Sequence, residues 1–156
     1  MKSRILGLAA VAASVTLLAA WSSPTTSSRQ DITYNADMNA SKATPPGTDK
    51  GTGRATLKLD GHTIHFSITV SGLTGPATAA HIHVGAIGVA GPPVYTFMIK
   101  NVDKGTLAEG TIDLTQMASK NVSGDSLKVL INNGNAYVNV HTAAHPGGEI
   151  RGQISK

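Results

Sequence analysis

The chain has 156 residues, of which 40% are hydrophobic and 14% charged, with a formal net charge of +4. That length suits one domain with its own core and excludes a disordered polyelectrolyte. The absence of cysteine excludes disulfides, thiolate metal sites and cysteine nucleophiles, and the lack of any basic run or basic-aromatic alternation sets nucleic acid aside.

Lys2 and Arg4 precede an apolar run from Ile5 to Ala20. This charged-then-apolar order is that of a secretory signal peptide over residues 1–22, and the run is short for a membrane span. The alternative is an uncleaved anchoring helix. Leu18-Ala19-Ala20 resembles the start of a bacterial lipoprotein box, but Trp21 stands where the lipid-bearing cysteine belongs. Removal of the leader leaves 11 basic side chains against 9 acidic, a weak basis for a polyanion partner, and no membrane segment. Residues 23–30, rich in Ser, Thr and Pro, read as a flexible mature N-terminus. The folded domain is expected over 31–156, and the location is periplasmic or secreted.

Asp31 to Met38 alternates well enough for a strand, and Asn39 to Gly53, with Pro45-Pro46-Gly47, is a loop. Arg54 to Asp60 puts Ala55, Leu57 and Leu59 on one face. After a turn at Gly61, Ile64, Phe66, Ile68 and Val70 alternate with His65, Ser67 and Thr69, the clearest strand pattern in the chain. Ser71 to Pro76 turns into a strand carrying His81 and His83, and Gly85 to Pro93 is a Gly/Pro-rich loop. Val94 to Lys100 and Gly110 to Leu114 read as further strands. A short helix is expected over 125–133, capped by Asp125 and ended by Gly134. Ala136 to Thr142 and Glu149 to Ile154 are the last strands, joined by 143–148. Many short strands separated by turns predict an all-β, antiparallel sandwich or barrel.

Successive side chains on a strand alternate between faces, so His81 and His83 share one face while Ile82 and Val84 take the other. In the later strand Val138 and Val140 share one face, and Tyr137, Asn139 and His141 the opposite one. Same-face residues two apart lie roughly 6–7 Å apart, close enough to share one ion. Three neutral imidazoles suit Cu(II) or Zn(II), and copper binds a given nitrogen set more tightly, so copper is expected ahead of zinc. His145, in the turn after His141, is the candidate fourth ligand. His65 is an outside candidate, and His62, beside a turn glycine, reads as bland. Carboxylates or carbonyls behind the ligands must orient the rings, and Glu149 is one candidate. Arg151 is either a guide for a small anion such as superoxide or a tie to Glu149 or a carbonyl that closes the last hairpin. No Gly-x-Ser-x-Gly, no His-Glu-x-x-His and no phosphate-binding loop occurs.

Several phrases resemble the CHRD family, named for the domain repeated in extracellular chordin. They are Pro45-Pro46 before a Gly-Thr-Gly strand start, Ser71-Gly72-Leu73-Thr74, Ala80-His81-Ile82-His83, Tyr137-Val138-Asn139-Val140-His141-Thr142, and Pro146 through Ile154. The likeness runs from about Thr33 to the C-terminus and implies a short exported bacterial protein.

A more distant resemblance is to copper-zinc superoxide dismutases, which have Ser71-Gly72-Leu73-Thr74, His81-x-His83 and Val140-His141 in the same order. It implies a Greek-key-like fold, with His81, His83 and His141 as copper ligands. Those enzymes take a bridging histidine from a Gly-Pro-His loop, and here Gly91-Pro92-Pro93 puts Pro93 in its place. The implied site is therefore mononuclear. Two functions follow: an exported copper protein, in copper handling or superoxide-type redox chemistry, or a non-enzymatic extracellular module that binds a periplasmic or extracellular protein, as the analogy with chordin suggests.

Overall fold

A computed structural model describes residues 31–117 and 122–156. The leader and the flexible N-terminus expected from the sequence lie outside the described residues. Eight strands form one sheet: β1 Ile32–Asn39, β2 Thr52–Asp60, β3 Thr63–Ser71, β4 Ala77–Val84, β5 Pro93–Thr96, β6 Gly105–Asp113, β7 Ala136–Thr142 and β8 Ile150–Gln153, with one helix, α1, at Gly124–Asn132. The spatial order is β5-β4-β7-β8-β1-β2-β3-β6, with every pairing antiparallel. The connections from β3 to β4 and from β6 to β7 leave one part of the sheet for another, as in a Greek key.

The sheet curls so that its ends approach each other. The Phe97 N–H donates to Ala80 O (2.9 Å), and the Lys100 N–H donates to Leu107 O (2.7 Å). Phe97 packs edge-on against Phe66 with ring centroids 4.9 Å apart. The strand therefore ends short of Lys100: Phe97, buried in the core, still bonds to β4, and the chain beyond it leaves that edge so that Lys100 bonds to β6. β6 starts five residues earlier than its alternation indicates. A register shift opposite Ile68 and Thr69 leaves Leu107 as an extra residue, so Leu107 and Ala108 are both buried and the period of two breaks. The helix begins at Gly124, and its cap is Ser123, not Asp125: Ser123 Oγ accepts from the Ser126 N–H at 3.2 Å.

The core is built mainly from Ile, Leu, Val and Ala, and it includes Ala80 and Ile82 of β4 and Val138 and Val140 of β7. Every residue of β7 is buried. One face is therefore sealed by the core, and the face bearing Tyr137, Asn139 and His141 is sealed by loops.

Candidate metal centre

β4 and β7 lie side by side, with Ala79 opposite His141, His81 opposite Asn139 and His83 opposite Tyr137. His81 and His141 are thus diagonal neighbours on the outward face, and His83 is next along the strand. One ring nitrogen from each of His81, His83 and His141 lies within 4.8 Å of the other two. Metal–nitrogen bonds of about 2.0–2.1 Å place ligand atoms roughly 3–4 Å apart, so the set reaches a shared ion with side-chain shifts of about an ångström.

The outward face is not an open one. His83 and His141 are only 8% and 9% exposed, because the loops at 85–92 and 143–148 fold over them, while His81 stays half-buried at the mouth. Those loops also fix the rings. His83 Nδ1 lies 2.8 Å from Gly91 O and His141 Nδ1 lies 2.9 Å from Pro146 O. A carbonyl only accepts, so each Nδ1 carries the proton and each Nε2 presents a lone pair. His83 Nε2 is buried with no hydrogen-bond partner among the described residues. His141 Nε2 lies 3.0 Å from His81 Nδ1. Two lone pairs do not face each other at that distance; a proton on His81 or a cation held by both rings reconciles them. Two of the three rings are thus steered by a backbone carbonyl through the nitrogen turned away from the cluster, an arrangement that suits metal ligation.

Burial, reinforced by the other two imidazoles, lowers the pKa of His81 to about 4. Burial also lowers that of His83, with Gly91 O opposing and His141 and Arg151 adding to the effect. His81 and His83 are therefore neutral and ligand-competent at neutral pH. Above about pH 6.5 His81 is neutral in both folded and unfolded chains. Between there and about pH 4 only the unfolded chain takes up the proton, so stability falls as pH falls through this window. After allowing for the partial exposure of the ring, the expected loss for metal-free protein is about 1–2 kcal/mol. Urea midpoints at about pH 7 and pH 4.5 measure it, and His81→Gln is expected to flatten the dependence.

The other residues singled out in the sequence lie elsewhere. His145 is not among the three convergent rings; its Nε2 sits 3.1 Å from Asp49 Oδ2, tying the 143–148 loop to the loop after β1. His65 is exposed on β3, and exposed His62 faces Asp125 at 3.9 Å. Glu149, 2% exposed, does not orient an imidazole. Its carboxylate accepts from the Thr74 N–H (2.8 Å), Thr74 Oγ1 (2.6 Å) and Thr142 Oγ1 (2.7 Å). Glu149→Gln replaces an acceptor with a donor among three donors and is expected to cost about 2–3 kcal/mol, read from urea unfolding. Arg151 is 2% exposed and donates to Thr44 Oγ1, Val89 O, Ala86 O and Gln153 Oε1, an arginine–carbonyl tie rather than a link to Glu149.

Sequence reasoning did not find the role of Tyr137. Its ring stacks on His83, with centroids 5.0 Å apart at 13°, and its Oη accepts from the Gly91 N–H at 3.0 Å. Its place opposite His83 on the paired strand was the available signal. Gly148 has φ +119°, and a Cβ there would lie 2.3 Å from Asn139 Nδ2, so the closing turn needs glycine to pack beside the histidine strand.

Among known families, the CHRD domain model matches residues 34–154. No curated protein and no solved structure matches the chain.

Proposed function

The chain belongs to the CHRD domain family, and we propose that it is an exported protein that holds one copper ion through His81, His83 and His141. The observation that carries this reading is the convergence of three imidazole nitrogens, two of them on rings already turned by Gly91 O and Pro146 O. A buried imidazole nitrogen without a partner costs about 1–3 kcal/mol, and a coordinated cation removes that cost at His83 Nε2. All three donors are neutral nitrogens, which favours copper over zinc at equal availability.

Copper supplies a one-electron couple and a Lewis acid when bound. The chain's own residues hold the ligand geometry, keep His83 and His141 away from bulk water, and leave the half-buried His81 side as the approach for a small ligand. His81, His83 and His141 would supply three ligands and leave room beside them for water or a small oxygen species. That set suits copper handling and superoxide-type redox chemistry alike. Export rests on the charged-then-apolar leader, Lys2 and Arg4 before Ile5 to Ala20. Among the described residues no helix is long and apolar enough to cross a membrane.

Untagged protein, stripped with a chelator and offered equimolar copper and zinc, is expected to retain one copper per chain with a type-2 paramagnetic resonance spectrum. Protein that emerges metal-free, or that takes up several weakly held ions without a defined spectrum, contradicts the proposal.

A further inference from the structure

We infer that Arg151 is the positioning residue of this centre, acting on His83 from behind through Tyr137 and through the loop at 85–92. The inference rests on the copper reading above and names what holds its most buried ligand in place.

Two routes run from the guanidinium to the same imidazole. Arg151 Cζ, from β8, lies 3.5 Å from the centroid of the Tyr137 ring, and His83 stacks on that ring from β4, on the other side of β7. Cation, phenol and imidazole form one column, in which the guanidinium is pressed on the ring that limits rotation of His83. The second route is the loop. Arg151 donates to Ala86 O at 2.8 Å and Val89 O at 3.0 Å, and Gln153 Nε2 donates to Gly85 O at 2.8 Å. These bonds pin the segment that ends at Gly91, whose carbonyl takes the Nδ1–H of His83 and whose N–H is held by Tyr137. One side chain thereby controls both the plane of the ligand ring and the carbonyl that fixes its tautomer.

The charge has a second consequence. Arg151 is buried at 2% exposure, and its positive charge stands one aromatic ring behind His83. A cation placed one ring behind a ligand disfavours Cu(II) more than Cu(I), because the added positive charge is felt through a medium poorer than water at screening it. Arg151 is thus expected to raise the reduction potential of the bound ion as well as tighten its geometry. Lysine keeps the charge but not the planar fork or the stack, so it separates the two effects.

The test compares wild type, Arg151→Lys and Tyr137→Phe, each loaded with one equivalent of Cu(II). Arg151→Lys is expected to weaken copper affinity about 10–100-fold, the usual effect of losing a ligand's outer partner. It should also shift the paramagnetic resonance parameters while keeping the potential near that of wild type. Tyr137→Phe keeps the stack but frees the Gly91 amide, and a smaller loss of a few-fold is expected. Wild type that binds copper alongside an Arg151→Lys protein of unchanged affinity and spectrum overturns this inference alone. Wild type that does not bind copper overturns the reading beneath it. If Arg151→Lys does not fold, Tyr137→Phe decides: unchanged affinity and spectrum in that variant refute transmission through Gly91.

Discussion

Replacing His83 with alanine is expected to weaken copper binding by more than about 100-fold, beyond the roughly 10–100-fold that follows loss of a ligand's outer partner. The reason is the pairing of chemistry and burial at this ring. His83 Nδ1 is committed to Gly91 O, and Nε2 is buried without a partner among the described residues. The substitution therefore deletes a ligand and, in the metal-free protein, an unsatisfied nitrogen as well. Relief of that nitrogen offsets part of the lost packing against Tyr137, so the metal-free fold is expected to lose only about 1–2 kcal/mol. His141→Ala is expected to match it in metal loss and to destabilise more, because it removes the partner of His81 Nδ1 and the donor to Pro146 O, whereas Gly91 O keeps the Tyr137 hydroxyl as a donor when His83 is lost. Competition titration against a chromophoric copper chelator, with urea unfolding of each metal-free variant, reads both quantities. Affinity within about threefold of wild type in either variant would falsify the assignment of that ligand.

Gly91→Ala is expected to be the most damaging single-methyl change in the loop over the site. A Cβ at this position would lie 1.7 Å from Val84 O, so the backbone of the loop or the end of β4 must move. Neither is free to do so. Val84 N–H donates to Pro92 O, and Gly91 itself is held through both its N–H and its carbonyl. A backbone clash of this kind belongs with the severe point mutants, at about 3 kcal/mol or more. Because Gly91 O is what orients His83, copper affinity is expected to fall with stability. An unchanged urea midpoint would show that the loop has slack that its contacts do not suggest.

The three rings were legible because period-two alternation is a property of the strand itself. His81 and His83 needed only β4 to be a strand, and His141 needed only β7, whose bounds at Ala136 and Thr142 follow the apolar pattern closely. The approach of those two strands came from the order of motifs in the two family resemblances, not from periodicity. β6 was half hidden because its bulge at Leu107 puts two consecutive residues into the core. β5 read too long because Val94 to Lys100 alternates, while the chain leaves β4 after Phe97 and Lys100 bonds to β6 instead. What orients the ligands was out of reach, since the orienting groups are the main-chain carbonyls of Gly91 and Pro146, which no side-chain pattern records. Glu149 lies before β8 begins, in a turn where Gly148 has positive φ, so strand parity gave no guide to its direction; it faces Thr74 and Thr142 instead.

One metal ion is expected where β4 and β7 bring their histidines together. Anomalous diffraction at the copper edge, from crystals of protein loaded with one equivalent, tests it most directly. A single strong peak within bonding distance of His81, His83 and His141, and remote from His145, is the expected result. Loaded crystals with no peak at that position, or with the principal peak at the His145–Asp49 pair, would contradict it.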